Sequence, residues 1–125
     1  MNDLIVEKTY STPYVNFNSK TGVLTIEGRS IPENPSALYE PLGEWLTGYF
    51  KSPQPFTKID LKLDYINSGS SKSLLGFFKI AKCNSDMGNK CEINWHFDED
   101  DESIRDMGKH FKAILRMSFN LVEIM

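Results

Sequence analysis

The order and period of the apolar residues predict an α/β fold, one mixed sheet with its helices packed mainly on one face. Runs in which apolar and polar residues alternate, as in a strand with one buried face, are separated by runs with the three- and four-residue spacing of a helix with one buried stripe. Strands separated by helices imply parallel connections within one sheet, whereas the start of the chain reads as an antiparallel hairpin. Parallel strands covered on both faces would be continuously apolar. The central runs here alternate cleanly, so one face of the sheet is expected to be open and polar.

In chain order, a short strand is expected near Leu4 to Lys8. Val15 and Phe17 then alternate with Tyr14, Asn16 and Asn18, the stretch Asn18 to Gly22 supplies turn residues, and Leu24 and Ile26 alternate with Val23, Thr25 and Glu27. A loop over Gly28 to Asn34 leads to a helix starting at Asn34 or Ser36, with Pro35 suited to a first helical position. Its apolar stripe is Leu38, Leu42, Trp45, Leu46 and Tyr49. An interior proline costs about 3 kcal/mol, so the regular helix either starts just before Pro41 or is kinked there. Pro53 and Pro55 end it. Ile59, Leu61, Leu63 and Tyr65 form the buried side of the next strand, and Leu74, Leu75, Phe78 and Ala81 the stripe of the second helix. Asp86 to Asn89 breaks the pattern. Cys91, Ile93, Trp95 and Phe97 mark another half-buried strand, Ile104, Met107 and Phe111 a third helix, and Leu115, Met117, Phe119 and Leu121 a last strand. The open face is then predicted to carry Lys58, Asp60, Lys62, Asp64, Glu92, Asn94, His96 and Asp98.

A length of 125 residues, an apolar share of 40% and no visible linker or repeat predict a single domain over residues 1–125. The formal net charge of −3 supplies no basic footprint for nucleic acid. Asp3 and Glu7 flank the N-terminal apolar patch, and no apolar run approaches the roughly 20 residues of a bilayer span, so an untargeted protein with no membrane partner is expected. Cys83 and Cys91 form neither a CxxC pair nor a zinc-ligand spacing, which fits partly buried thiols in a reducing cytoplasm.

The stretch Asp64 to Leu75 is the most informative. Here an alternating strand pattern stops, hydroxyl residues cluster and a helical pattern begins. Asn67, Ser68, Ser70 and Ser71 can each accept bonds from the unpaired amides of a first helical turn, and Gly69 allows unusual backbone angles among them. Such a turn is an ordinary helix cap, and it also tolerates an anion. The acidic run Asp98 to Glu102 offers oxygens for a hard cation but lacks the mid-loop glycine and closing glutamate of an EF-hand, and acids at a helix entrance already satisfy the macrodipole. His96 and His110 suggest no third ligand. No phosphate-binding glycine loop, HExxH or GxSxG pattern occurs, and the sequence nominates no base for Ser68, Ser70 or Ser71. No metal, cofactor or catalytic residue is therefore expected. Three classes remain: a regulatory binding module whose serine turn is modified, a small-molecule sensor, and a weak metal-dependent enzyme using the acidic run.

Pro32-Glu33-Asn34, then Tyr65-Ile66-Asn67-Ser68-Gly69-Ser70-Ser71, then Trp95 through Glu102 with Gly108 following, resemble in type and order the SiaC family of bacterial biofilm-regulation phosphoproteins. The likeness runs from about Ser11 to Phe119. The same turn is similar to the phosphorylation loop of STAS-domain anti-sigma-factor antagonists, with Asn67-Ser68-Gly69-Ser70 in its place, so the resemblance implies a STAS-like domain. It also implies a non-enzymatic partner switch. In that family a hydroxyl residue directly after a Tyr-x-Asn triplet is phosphorylated by a dedicated serine/threonine kinase and cleared by a metal-dependent phosphatase, and the unmodified form binds and activates a diguanylate cyclase. Ser68 holds that position, where the best known members carry threonine, and Gly69 replaces a hydroxyl residue found in some of them. Ser70 and Ser71 therefore stay open as acceptors. The implied contact surface comprises Asn67, Ser68, Gly69 and Ser70, together with Phe77 and Ile80, which lie off the main stripe of the second helix and are expected either on its exposed flank or in the core.

Overall fold

The computed structural model describes residues 1–124. Six strands form one sheet in the order of the chain, β1 Leu4–Val6, β2 Tyr14–Asn18, β3 Val23–Ser30, β4 Thr57–Ile66, β5 Cys91–Asp98 and β6 Phe119–Ile124. The first three are joined antiparallel, and β3 to β6 are parallel. Each parallel step is bridged by a helix: α1 Pro35–Tyr49, α2 Ser68–Asp86 and α3 Glu102–Leu115. No helix is long and apolar enough to cross a membrane.

Register explains why all three helices lie on one side. Phe17, Leu24, Ile59, Ile93 and Phe119 stand opposite one another across five strands, and Val15, Ile26, Leu61, Trp95 and Leu121 form the neighbouring row. Because side chains alternate along a strand, both rows project from the same face. They form one core with Leu42 and Leu46 of α1, Leu74, Phe78 and Ala81 of α2, and Ile104 and Phe111 of α3. The other face is polar, as predicted. There Asn94 Nδ2 donates to Asp60 Oδ1 (2.7 Å), and Asn120 Nδ2 donates to Asn94 Oδ1 (2.9 Å).

Several expectations are corrected. Tyr65 is not buried with Ile59, Leu61 and Leu63; it is 58% exposed. Leu63 pairs with Gly28 and Tyr65 with Arg29, so Asp64 is an extra residue, a bulge that reverses the phase of the strand end. Leu115 is the last residue of α3, not the first of a strand, because Arg116 takes a left-handed conformation (φ 50°) that stops the helix, and β6 begins only at Phe119. The helix α1 begins at Pro35 with Asn34 as its cap and passes through Pro41, so it does not wait for the interior proline. Tyr39, absent from the predicted stripe, is buried in its place among Leu42, Leu46 and Tyr49. Phe77 is in the core at 2% exposure, stacked on Phe17 with ring centroids 5.8 Å apart.

Helix α3 approaches the sheet most closely at Gly108. A β-carbon there would lie 2.7 Å from both Leu121 Cδ2 and Trp95 Nε1. The Trp95 indole is itself held in place by donating to the Ile104 carbonyl (2.8 Å). Gly108→Ala is expected to lower unfolding stability by about 1–3 kcal/mol, the usual cost of overpacking. Gly76, on α2, has no atom within 4 Å of such a carbon. Gly76→Ala should therefore raise stability by up to about 1 kcal/mol through helix propensity alone. Urea denaturation of both variants measures the two signs.

Candidate functional site

The strand-to-helix turn between β4 and α2 is held by one residue. Asn67 has an extended backbone (φ −81°, ψ 166°) and caps α2, its Oδ1 accepting from the Ser70 N–H at 2.9 Å. Its Nδ2 donates to the Pro32 carbonyl (3.0 Å) and its backbone N–H to the Ser30 carbonyl (3.0 Å). The cap is thus tied to the end of β3 and to the loop before α1.

The serines that follow occupy different environments. Ser68 is exposed and is the first residue of α2, where the backbone N–H groups have no preceding helical turn to bond to. Ser71 is half-buried. Ser70 is 0% exposed and ends a buried chain of hydroxyls, in which Tyr39 donates to Ser30 Oγ (2.6 Å) and Ser30 donates to Ser70 Oγ (2.9 Å). Sequence reasoning treated the serines as equivalent cap groups and missed Ser30 and Tyr39 altogether. Tyr39 was accessible to it, since Tyr39, Leu42 and Leu46 keep helical spacing. Ser30 offered no local signal, because its partners come from two other elements.

Gly69 packs directly on Pro35, where an added β-carbon would lie 2.8 Å from Pro35 Cγ. The starts of α1 and α2 are therefore side by side. Farther along, Gly43 of α1 faces Ile80 Cδ1 of α2 at the 3.1 Å distance its β-carbon would have. Between the helices runs a groove of about 530 Å³, whose lining includes Glu40, Gly43, Glu44 and Lys51 of α1 and its end and Phe77 and Ile80 of α2. Of the two expectations held for Phe77, the structure bears out the core and not the exposed flank, since the residue is only 2% exposed although it borders the groove. On the open face the bulge turns Tyr65 outward, and the Arg29 guanidinium lies between Tyr65 (5.2 Å) and Tyr10 (5.0 Å). A cation near the turn that is remote in sequence is thereby added to Lys72.

The acidic run does what its position favours. Asp101 caps α3, its Oδ1 accepting from the Ile104 N–H at 3.0 Å, and Glu102 lies in the first turn. Asp98, Glu99, Asp100 and Asp101 border an open depression, and among the described residues no group of three or more His, Cys, Asp or Glu is arranged to hold a metal. His96 lies half-buried in β5, whereas His110 is exposed on α3. Among the described residues no side-chain hydrogen bond joins Ser68 to a histidine or carboxylate.

The structure is thus a one-sided α/β domain that presents an exposed serine at a strand-to-helix turn beside a groove. The chain belongs to the SiaC family of regulatory phosphoproteins, whose family model matches residues 6–124. An uncharacterized protein of Pseudomonas aeruginosa (strain UCBPP-PA14) is 27% identical over 112 residues, which cover 90% of this chain and 89% of that relative. The fold is shared with the crystal structure of apo-SiaC from Pseudomonas aeruginosa, at TM-score 0.90 and 24% identity over 98% of this chain and 99% of the other. It is shared equally with a chain in the crystal structure of the diguanylate cyclase SiaD in complex with its activator SiaC, at TM-score 0.91 and 24% identity over 98% and 100%.

Burial pushes the Tyr39 hydroxyl up from 10.0 to about 12, the bond to Ser30 offsetting part of the effect. Burial likewise raises the Cys91 thiol from 9.0 to about 12, with the charge of Glu92 adding to it. Both groups hold their protons longer in the folded state, so the stability they contribute is complete below pH 9.0 and is lost as pH rises toward 12. Urea midpoints measured from pH 7 upward should fall through that window. Tyr39→Phe should make the fall shallower above pH 10. Ser30→Ala, which strands the Tyr39 and Ser70 hydroxyls, should cost about 1–3 kcal/mol at neutral pH.

Proposed function

We propose that this protein is a non-enzymatic, phosphorylation-controlled partner switch acting in the cytoplasm. Its unmodified form binds and activates a diguanylate cyclase, a dedicated kinase phosphorylates Ser68, and a metal-dependent serine/threonine phosphatase restores it. The observation that carries this reading is the position of Ser68: directly after Tyr65-Ile66-Asn67, exposed, and first in a 19-residue helix. Membership of a family of regulatory phosphoproteins supports the modification, and the related SiaC being the activator of the cyclase SiaD supports the class of partner. Ser70 is a poor acceptor, because a kinase would have to open the hydroxyl chain to reach it. Ser71 is the remaining alternative. The two free cysteines, Cys83 and Cys91, suit a reducing compartment.

Phosphorylation adds about −1.5 to −2 charges and three acceptor oxygens. At the first position of α2 that charge is compatible with the helix, whose N-terminus favours anions. Inside an interface it must be neutralised or lose its water, so the modified turn releases the partner while the domain stays folded. Asn67, Ser68 and Gly69 form the turn part of the contact, with Ile80 alongside; Ser70 and Phe77, expected to share in it, lie buried beneath that surface.

Intact-mass analysis after incubation with the cognate kinase should show one phosphate, which Ser68→Ala abolishes; undiminished labelling of that variant would move the acceptor to Ser71. The phosphoprotein should lose cyclase binding with its circular dichroism unchanged, whereas Ser68→Ala should keep binding. Unfolding on phosphorylation would replace the charge mechanism, and unchanged affinity would eliminate the switch. Calorimetry with Mg²⁺ and Ca²⁺ should find no site tighter than about millimolar, the weak end of protein calcium sites; a stoichiometric micromolar site would revive the metal-dependent enzyme.

A further inference from the structure

We propose that Lys72 is the receptor within this chain for the phosphate on Ser68: the Lys72 ammonium pairs with it along the surface of α2, fixes the first turn of the helix and is thereby withdrawn from any partner. The proposal deepens the partner-switch reading and rests on it. Three observations carry it.

The first is spacing. Ser68 and Lys72 are four residues apart in α2, so their side chains share one side of the helix, with β-carbons about 5–6 Å apart. Both are exposed, on a line that continues through Gly76, Lys79 and Cys83, away from the buried Leu74, Phe78 and Ala81. The phosphate would stand N-terminal to the cation, the order in which such a pair and the helix dipole reinforce each other. The other serines of the turn lack this neighbour. Three and four residues beyond Ser70 are Ser73 and Leu74, and beyond Ser71 are Leu74 and Leu75.

The second is the state of the nearby charges. The residues three and four positions from Lys72 are Ser68, Gly69, Leu75 and Gly76, none of them acidic. The ion pairs among the described residues are Lys82–Asp86 and Arg105–Asp106, so a phosphate displaces no existing partner of Lys72. Arg29, the other cation near the turn, is engaged by the Tyr10 and Tyr65 rings on the open face of the sheet. The acids near the turn, Asp64 at the end of β4 and Glu33 in the loop before α1, can only repel a phosphate.

The third is the backbone. Asn67 takes up the Ser70 N–H with its side chain and the Ser71 N–H with its carbonyl, whereas the N–H groups of Ser68 and Gly69 have no acceptor among the described residues. A phosphate on Ser68 turned back onto these donors presents its remaining oxygens to Lys72, and charge-assisted bonds of this kind are the strong ones. They favour the dianion, so the phosphoserine loses its second proton below the ordinary value of about 6. Its folded-state value being depressed, the stability gained is present above about pH 6 and is lost as pH falls through the folded value.

The test uses the full chain with phosphoserine installed at position 68 during translation, so that neither kinase nor cyclase enters the readout. The phosphoprotein should melt at a higher temperature than the unmodified chain at neutral pH, and the gain should vanish in acid. Lys72→Ala should remove most of that gain and raise the midpoint of the phosphate titration, followed by phosphorus NMR, by at least about 0.2 pH unit, the size of one such pair. Lys72→Arg should keep both, and Lys72→Ala without phosphate should melt as the unaltered chain does. A midpoint and a melting gain that Lys72→Ala leaves unchanged overturn the proposal, as does Lys72→Arg behaving like Lys72→Ala. Loss of both in Arg29→Ala, with Lys72→Ala silent, assigns the phosphate to Arg29 instead. Failure of the cognate kinase to label Ser68, or of the phosphate to alter cyclase binding, overturns the switch separately, since the melting and titration measurements do not depend on either protein.

Discussion

Burial of a single sheet face governs the rest of this structure. Two apolar rows cross five strands in register, Phe17 to Phe119 and Val15 to Leu121, and all three helices must cover them because the other face carries Asp60, Asn94 and Asn120 bonded to one another. Placing a helix on that side would strip water from this polar ladder with no apolar gain to offset it. The long connections therefore return on one side, and α2 lies between α1 and α3. A middle helix must be apolar over a wider arc than an outer one. This accounts for Phe77 being buried beside Leu74, Phe78 and Ala81.

The same layering positions the proposed acceptor, Ser68. Ser30 ends β3, Tyr39 lies in α1 and Ser70 in α2, and their buried hydroxyls link three elements beneath the exposed Ser68. Buried polar groups of this kind are costly unless each finds a partner, and once partnered they favour one arrangement over others. Asn67 adds its own ties to Pro32 and Ser30. The consequence is an exposed serine on a mount held from three elements.

The groove and the serine turn are parts of one surface drawn from two helices that never adjoin in the chain. Small residues are needed where they meet: Gly69 against Pro35, and Gly43 against Ile80. Where no neighbour requires a glycine, as at Gly76, the missing side chain leaves open space.

Local pattern was enough to determine much of this protein. The period of two in Ile59 to Leu63 and Cys91 to Phe97, the helical spacings, and the capping residues clustered before the second and third helices all act over a few residues, so the strands, the one-sided sheet and the strand-to-helix turn were legible in the sequence. Family membership was legible as well, through blocks at the turn and at the acidic helix entrance. Tertiary structure decided what depends on remote neighbours. The phase of Tyr65 is set by a bulge against Gly28 and Arg29, the burial of Phe77 by Phe17 from β2, and the inaccessibility of Ser70 by Ser30 and Tyr39. Periodicity reports which way a side chain points from its own element, but whether that direction is solvent or core is determined by the element packed against it, and no local pattern carries that information.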